Sequence, residues 1–307
     1  MIELIKNTKF DFIGKRKIAY VISLILLLNG LFGIFKVITG TANMGLDFTG
    51  GSTVQVKFSE PMTVGKIRET MIASNFHKAV IQQVGAADSN EFMIRIGVKD
   101  AEAGQAEQKV VSVLTAGTGD KAITVSGSSE VGPVVSSQLK EKAFLAVFWA
   151  LVGILVYIWI RFKFKFAVAA TLATFHDVIV VIGILVLFNK EIDLLVVTAL
   201  LTLAGYSLTD TVVVFDRIRE NMRNILKQPL NEIMNSSINQ VLSRSVITAL
   251  TTMFVAAALL FYGGNVLFNF SFSFVIGIVL GVYSSVFVAS PMVYDWEMFE
   301  KKHRTVK

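Results

Sequence analysis

Long apolar stretches dominate the sequence, and most of them are separated by short polar gaps. A bilayer core of about 30 Å needs roughly 20 predominantly apolar residues to be crossed by a helix. Six stretches fall near this length, and each is predicted to be a membrane-spanning helix. They cover residues 18–37, 143–160, 166–188, 194–215, 246–262 and 270–292. The first is interpreted as a retained span, because it is long for the apolar part of a signal peptide and no small-residue cleavage site follows it.

The gap between the first two spans is the exception, since it is about a hundred residues long. Apolar and polar residues alternate there as in β-strands at 52–58, 79–84, 91–98 and 122–127, and helical spacing occurs at 63–75 and 101–115. The order β-α-β-β-α-β is typical of a ferredoxin-like sandwich. The sequence therefore predicts a polytopic α-helical membrane protein, with six transmembrane helices and a ferredoxin-like α+β extracytoplasmic domain between helices one and two.

The composition supports a membrane protein, because 53% of the 307 residues are hydrophobic and only 17% are charged. A soluble domain carries about 25% charged residues. Basic residues cluster before the first stretch, between the second and third, after the fourth and after the sixth. Because basic loops remain on the cytoplasmic side, both termini are predicted to be cytoplasmic. This placement explains the net charge of +6 by topology rather than by nucleic-acid binding.

These patterns divide the chain into four parts. We predict a cytoplasmic N-terminus and first transmembrane helix at 1–37, and an extracytoplasmic α+β domain at 38–142. A five-helix transmembrane bundle follows at 143–293, with a cytoplasmic loop at 216–245, and a cytoplasmic C-terminal tail occupies 294–307. The loop mixes charged residues with apolar ones at helical spacing, which indicates an amphipathic helix that Pro229 breaks or restarts.

Residue types exclude several chemistries. The chain has no cysteine, so disulfides and thiolate metal sites are excluded. Its three histidines, His77, His176 and His303, match no zinc spacing, and no metal site is predicted. Neither of the common glycine-rich phosphate motifs occurs, so nothing indicates a bound nucleotide.

The fourth span contains the most informative residue, Asp210, within the stretch "LTLAGYSLTDTVVVF" at 201–215. An ionisable group in a membrane helix is expensive, and it normally faces the protein interior or a wet cavity. Tyr206 and Ser207 lie on the same helix face, four and three positions earlier, and Thr209 is adjacent. A static buried salt bridge is the structural alternative, but a role in a pathway or relay is the favoured interpretation.

The fifth span offers a partner for this carboxylate. Gln240, Arg244, Thr248 and Thr252 recur at every fourth position and form one polar stripe. Arginine does not lose its proton, so Arg244 is a poor proton carrier but a strong neighbour for a carboxylate. An arginine that approaches or leaves a carboxylate changes that group's affinity for a proton. The alternative is that Arg244 extends toward the membrane surface from the start of its span.

Two further patterns have structural and functional interpretations. His176 and Asp177, in the middle of the third span, could transfer protons or could form a hydrogen-bonded pair that fixes helix packing. Gly45, Asp47, Gly50 and Gly51 follow the first span and favour a tight structural turn over a cation site, because one carboxylate is a poor ligand set.

Five stretches together resemble the SecF proteins of the SecD/SecF family, within the resistance-nodulation-division (RND) superfamily, over essentially the whole chain. They are "GLDFTGG", "EVGPVV", "FHDV", "YSLTDTVVVFDRIREN" and "NQVLSRSVITALTT". The resemblance implies protein export through the Sec channel, driven by the proton motive force, by a subunit that is not an enzyme and needs no cofactor. It also implies that Asp210 and Arg244 form a proton pathway together with an aspartate of SecD.

The same resemblance implies the surroundings of the chain. Its expected partners are SecD, the SecYEG channel, YajC as a further candidate, an unfolded translocating polypeptide and membrane lipids, with no nucleic acid. Its expected place is the bacterial cytoplasmic (inner) membrane. The working hypothesis is that protonation of Asp210 alters its pairing with Arg244 and shifts helices that move the outer domain. Two alternatives are an RND-type proton-coupled antiporter of a lipid or small molecule, and a non-catalytic translocon scaffold.

Overall fold

The computed structural model describes residues 8–77, 79–84, 89–97, 105–119, 122–225 and 228–304. The described residues form two compact units, one α+β (Met44–Leu145) and one helical (Met1–Asn43 with Ala146–Lys307). The helices are α1 (Arg16–Ile38), α2 (Leu46–Thr49), α3 (Val64–Ala73), α4 (Ala106–Thr118), α5 (Pro133–Arg161), α6 (Phe164–Leu187), α7 (Leu194–Asn224), α8 (Leu230–Tyr262), α9 (Gly264–Ser284) and α10 (Ser290–Arg304). A π-helical turn, Ser285–Ala289, joins α9 to α10.

The α+β unit contains a four-stranded antiparallel sheet of β1 (Gly51–Lys57), β2 (Val80–Val84), β3 (Glu91–Ile96) and β4 (Thr124–Val131), in the order β2-β3-β1-β4. Helices α3 and α4 follow β1 and β3 along the chain, so the predicted β-α-β-β-α-β order is confirmed. Apolar side chains of the strands, such as Val54 and Ile94, pack with Ile67 of α3 and Val110 of α4 in one core. Of the segments predicted here, residues 98 and 101–104 lie outside the described residues.

Within the described residues, six helices are long and apolar enough to cross a membrane, and the predicted fold class is confirmed. The helices extend beyond the predicted apolar stretches. Helix α7 continues to Asn224 and α8 begins at Leu230, so most of the segment 216–245 is helical and Pro229 stands at the start of α8. Apolar residues continue at helical spacing there, and Ile218 and Ile233 are buried.

Helices α7 and α9 approach closely because glycines of α9 face side chains of α7. A Cβ atom added at Gly277 would lie 2.6 Å from Leu203, and one added at Gly281 would lie 3.2 Å from Cβ of Ser207. These two glycines therefore pack directly against α7. Small residues permit such close contacts between membrane helices, and this contact sets the distance between the polar residues described below.

Two of the long helices are the least buried. In the most apolar stretch of α5 and of α8, only 11% of the residues are buried, compared with 50% in α6. Large apolar side chains are therefore left exposed on both helices, for example Trp149 and Tyr157 on α5 and Phe254 on α8. Within the described residues, these two helices carry unpartnered apolar faces.

Candidate functional site

A cavity of about 230 Å³ opens beside Asp210, between α7 and α8. Apart from one valine, every residue that lines it is polar or charged. From α7 these residues are Tyr206, Thr209, Asp210 and Val213, and from α8 they are Arg244, Ser245, Thr248, Thr251 and Thr252. A small polar cavity in the apolar part of a bundle is where a membrane protein can hold an ionisable group.

Asp210 is only half-buried, but its Oδ2 atom is buried and makes no hydrogen bond with any described residue. Ser245 and Arg244 of α8 line the cavity beside this carboxyl group. Arg244 is exposed, and within the described parts of α7 and α8 no ion pair joins it to Asp210. The two predicted partners therefore line one cavity without an ion pair between them.

The polar stripe of α8 is only partly assembled around Asp210. Thr248 donates a hydrogen bond to the carbonyl of Arg244 at 2.9 Å, and Thr252 donates to the carbonyl of Thr248 at 2.9 Å. Gln240 lies elsewhere, because its Oε1 accepts hydrogen bonds from Arg217 at 2.6 Å and Asn221 at 2.9 Å. Gln240 thus joins the end of α7 to α8 instead of lining the cavity.

On α7, the predicted neighbours of Asp210 divide between two places. Tyr206 and Thr209 both line the cavity, and the hydroxyl of Thr209 donates to the carbonyl of Gly205 at 2.9 Å. Ser207 is fully buried and points to a different carboxylate, since it donates to Oδ2 of Asp177 at 2.6 Å. Residues that share one helix face in the sequence thus serve two sites.

The second site is centred on Asp177 of α6, whose side chain is completely buried. Its Oδ2 accepts hydrogen bonds from Ser207 and from Ser284 of α9, both at 2.6 Å. Its Oδ1 lies 3.0 Å from Nδ1 of His176, which is also buried. Asp177 thereby connects three helices through one carboxylate. Nε2 of His176 makes no hydrogen bond with a described residue.

A π-helical turn follows Ser284, the α9 residue that bonds to Asp177. It begins at Ser285, whose Oγ lies 2.9 Å from Oγ1 of Thr211 on α7 and donates to the carbonyl of Gly281 at 2.8 Å. Because a π turn widens the helix by one residue, it leaves carbonyl groups without their usual partners. The Ser285 carbonyl accepts the backbone N–H of Ser290, and the Ser290 hydroxyl also donates to it at 2.8 Å.

Sequence reasoning did not identify Ser245, Ser284 and Ser285 as part of a site. The available signal was weak, because isolated serines are common in membrane helices and also favour close packing. Only the meeting of α6, α7 and α9 shows which serines face a carboxylate.

The predicted turn after the first span lies in the α+β unit, far along the chain from these helices. Leu46–Thr49 forms a single helical turn that Gly45 precedes and Gly50 follows. Gly50 has φ +66° and Gly51 has φ +120°, and an added Cβ at Gly51 would collide with the carbonyl of Ile96. These conformations favour glycine. Asp47 lies in the helical turn, and among the described residues no group of three metal-ligating side chains occurs.

Among the described residues, these features define a class of protein. It is a multi-pass membrane protein with six long apolar helices, an α+β domain between the first two, and carboxylates inside the bundle. The family model described as "Protein export membrane protein SecD/SecF, C-terminal" matches residues 110–299, and the one described as "SecD/SecF GG Motif" matches residues 41–62. The chain therefore belongs to the SecD/SecF family of protein export membrane proteins.

Sequence relatives agree with the resemblance to SecF. The chain is 44% identical to the protein translocase subunit SecF of Thermodesulfovibrio yellowstonii, over 95% of this chain and 96% of that protein. It is 41% identical to the SecF subunit of Calditerrivibrio nitroreducens, over 98% of this chain and 99% of that protein. The resemblance to SecF is thus confirmed over nearly the full length.

Solved structures of SecDF show the same fold. SecDF from Thermus thermophilus, described as a translocon-associated membrane protein, matches with a TM-score of 0.82 and 36% identity. A SecDF structure in a "super-membrane-facing form" matches with a TM-score of 0.71 and 33% identity. These matches cover 95% and 100% of this chain but only 39% and 41% of the two SecDF chains. The chain thus spans less than half the length of the solved SecDF chains.

Proposed function

We propose that this chain uses the proton motive force to promote polypeptide export, with Asp210 as the proton-carrying group and Arg244 as its movable partner. One observation carries the proposal: Asp210 presents a buried, unpartnered carboxylate oxygen to a polar cavity that Arg244 also lines. A permanent salt bridge would have occupied that oxygen. An unpaired carboxylate beside a fixed positive charge can instead exist in two arrangements.

The physical basis of the switch is the contrast between the two side chains. Arg244 retains its charge, because the guanidinium group does not deprotonate in proteins. When Asp210 is ionised, attraction to Arg244 stabilises its charge. When Asp210 is protonated, that attraction is lost and Arg244 can withdraw. Gain and loss of the proton therefore switch α7 and α8 between two arrangements.

The proton gradient supplies enough energy for such a switch. Moving one charge through 100 mV is worth about 2.3 kcal/mol. A change of about 1.4 kcal/mol shifts a two-state equilibrium tenfold, so one proton can change the populations by one to two orders of magnitude. Helices α1 and α5 connect the bundle directly to the α+β domain along the chain, so motion in the bundle can be transmitted to that domain.

The proposed setting is the bacterial inner membrane, with both termini cytoplasmic and the α+β domain on the opposite side. The distribution of basic residues supports this orientation. A SecD-type chain is the proposed partner, since the solved SecDF chains contain more than this chain covers and α5 and α8 have unpartnered apolar faces. The SecYEG channel, with YajC as a further candidate, and an unfolded polypeptide complete the proposed assembly.

Proton flux in reconstituted vesicles tests this function. The vesicles would contain this chain, its SecD-type partner, the channel and a translocating polypeptide, under an imposed proton gradient. The decisive variant is Asp210→Asn, which keeps the shape of the side chain and removes its proton exchange. Asp216→Asn is the matched control, because Asp216 lies on the same helix, is exposed, and pairs with Arg161 at 2.6 Å instead of facing the cavity.

We expect Asp210→Asn to lower proton flux and proton-dependent export by at least about a hundredfold, the scale of losing a proton-transfer group. Asp216→Asn should retain both to within about twofold, because an exposed ion pair contributes little. Unchanged flux and export in Asp210→Asn would contradict the proposal and would favour a scaffold role. Loss of export with normal flux would place Asp210 outside the proton path.

A further inference from the structure

A basic pocket of about 350 Å³ lies where α5 ends and where α7 continues beyond its apolar part. The stretch "DRIREN" at 216–221 contributes to it, and the proton path proposed above does not use that stretch. The pocket has a net positive charge, because its lining contains three guanidinium groups and two carboxylates. The residues that line it are Arg161 of α5 and Asp216, Arg219, Glu220, Arg223 and Asn224 of α7.

Two of the guanidinium groups are held in place by their neighbours. Nη2 of Arg161 lies 2.6 Å from Oδ2 of Asp216, and Nη1 of Arg219 lies 3.6 Å from Oδ1 of the same carboxylate. Both groups also lie 5.2 Å from the centre of the Phe162 ring, which is buried. A guanidinium group is attracted to the face of an aromatic ring, so these contacts together fix the positions of both groups.

Most of the N–H groups of these arginines remain available to a ligand. A guanidinium group has five N–H donors, and the bonds to described residues use only Nη2 of Arg161 and Nη1 of Arg219. Within the described part of the chain, Arg223 forms no ion pair. Glu220 is already paired with Arg217 at 2.7 Å, and Arg217 does not line the pocket. Forked donors of this kind bind two phosphate oxygens at once.

The surface beside the pocket is apolar and exposed. Ile160, which directly precedes Arg161 at the end of α5, is 82% exposed, and Trp159 is 58% exposed. Tyr157 is also exposed, and it shares a helix face with Arg161 because the two are four positions apart. Tryptophan and tyrosine are typical of the level where lipid headgroups meet the acyl chains. The arginines therefore lie at headgroup level, next to an apolar surface.

The charges and this surface together select the ligand. A dissolved phosphate ion would use the arginines only, whereas a phospholipid would also cover the exposed apolar side chains of α5. A zwitterionic headgroup carries a positive group, which a pocket of net positive charge repels. An anionic phospholipid fits both the pocket and the surface.

We propose that this pocket binds the phosphate group of an anionic phospholipid, with Arg161, Arg219 and Arg223 as donors and the end of α5 beside the acyl chains. The bound lipid joins α5 to α7 at the membrane surface. Such a bridge stabilises a helix that has few other contacts, because only 11% of the most apolar stretch of α5 is buried. This inference does not depend on the proton path, and it adds a specific site to the general contact with membrane lipids.

Native mass spectrometry of the complex between this chain and its SecD-type partner tests the site. The complex in detergent is titrated with phosphatidylglycerol or with phosphatidylcholine of the same acyl chains, and the affinity for each lipid is measured. Arg219→Gln and Arg223→Gln each remove one donor, and the second variant remains informative if the first does not fold. Glu220→Gln removes a negative charge from the pocket. Lys17→Gln is the matched control, because Lys17 is an exposed basic residue at the start of another span, α1.

We expect wild type to bind phosphatidylglycerol more tightly than phosphatidylcholine. Arg219→Gln and Arg223→Gln should each weaken phosphatidylglycerol binding about fivefold, the contribution of one basic residue near an anionic headgroup. Glu220→Gln should strengthen it about twofold or more, because a carboxylate that repels the phosphate is removed. A variant that is merely less stable would not bind the lipid more tightly. Lys17→Gln should stay within about twofold of wild type, because salt screens distant charges.

Four results would overturn the inference. Equal affinities of wild type for the two lipids would remove the preference for an anionic headgroup. A loss of affinity in Lys17→Gln as large as in Arg223→Gln would indicate diffuse attraction to basic residues. Complete displacement of the lipid by an excess of inorganic phosphate would assign the pocket to a dissolved anion. Lipid binding by the chain alone that disappears in the complex would show that the partner covers the pocket.

Discussion

The bundle contains two carboxylates whose surroundings differ in every respect that matters for proton exchange. Asp177 is completely buried and accepts two serine hydrogen bonds, with His176 at 3.0 Å. Asp210 is half-buried beside a cavity of about 230 Å³, and one of its oxygens makes no hydrogen bond with a described residue. A carboxylate whose oxygens all accept hydrogen bonds keeps its partners and its protonation state. A carboxylate with an unpartnered oxygen beside a cavity can instead gain a partner or a proton.

The contrast also separates stability from function within one structure. Buried hydrogen bonds to a charged group contribute about 1.5–3 kcal/mol each, and an unsatisfied buried group costs a comparable amount. By this reasoning, the Asp177 cluster stabilises the packing of α6, α7 and α9, while the Asp210 cavity lowers the stability of the bundle. The predictions below compare the two sites by stability, from the largest expected effect to the smallest.

Removing the two carboxylates should have opposite consequences. Asp177→Ala leaves Ser207 and His176 without their acceptor, while Ser284 can still donate to the carbonyl of Gly281 at 3.2 Å. Each buried unsatisfied donor costs about 1–3 kcal/mol, so we expect a loss of about 3 kcal/mol. Asp210→Ala should change stability by less than about 1 kcal/mol, or increase it, because an unpaired carboxyl group is removed. Thermal unfolding of the purified complex measures both. The first variant should unfold at a temperature roughly 6–12 °C lower. Equal decreases in the two variants would contradict the contrast.

Substitution of glycines near the two sites should show the same difference. Gly281→Ala places a Cβ atom 3.2 Å from Cβ of Ser207, next to the Asp177 cluster. Overpacking of this kind costs about 1–3 kcal/mol. Gly205→Ala on α7 meets nothing within 4 Å, so it should be neutral or stabilise the helix by up to about 1 kcal/mol. Thermal unfolding measures the stability of both variants. A larger loss of stability in Gly205→Ala than in Gly281→Ala would contradict the prediction.

Single hydroxyl deletions give a smaller effect. Ser284→Ala removes a donor to Asp177 and should cost about 1–2 kcal/mol, because hydrogen bonds to charged groups are stronger than neutral ones. Ser245 is also buried, but its Oγ has no hydrogen-bond partner among the described residues. Ser245→Ala should therefore cost less than about 0.5 kcal/mol. Thermal unfolding midpoints of the two variants in the same detergent test this difference. Equal midpoints would show that the two hydroxyls contribute equally to stability.

The smallest effect is expected for a carboxylate outside both sites. Asp216 pairs with Arg161 at 2.6 Å, and both side chains are more than one-third exposed. Exposed ion pairs contribute about 0–1 kcal/mol, and salt screens them. Asp216→Asn should therefore lower stability by less than about 1 kcal/mol, and added salt should remove the difference from wild type. A loss of stability comparable to that of Asp177→Ala would contradict the prediction that this exposed ion pair contributes little.

Much of this organisation is predictable from the sequence, because it depends on local patterns. Six apolar stretches predict six spans, and period-two alternation predicts three strands within two residues of their ends. The fourth strand was predicted at 122–127 but extends from Thr124 to Val131. Its second half, with Gly127, Ser128 and Ser129, is exposed and polar, so it carries no alternating apolar signal.

The candidate site was only partly predictable. The position of Asp210 in an apolar span indicates its importance, because an ionisable group there is costly. The sequence does not show that Ser207 faces Asp177 and that Gln240 joins α7 to α8 outside the cavity. These contacts depend on which helices adjoin and on a π turn that shifts the register at Ser285. Neither feature leaves a periodic pattern in one chain.

The central claim, that Asp210 exchanges its proton while Asp177 stays fixed, is tested most directly by infrared difference spectroscopy of the reconstituted complex. The measurement follows the carbonyl stretch of protonated carboxyl groups as the pH is changed. The account predicts a band that responds to pH in wild type and in Asp177→Asn, and that is absent in Asp210→Asn. A band that persists in Asp210→Asn and disappears in Asp177→Asn would contradict it and assign the exchangeable proton to the other carboxylate.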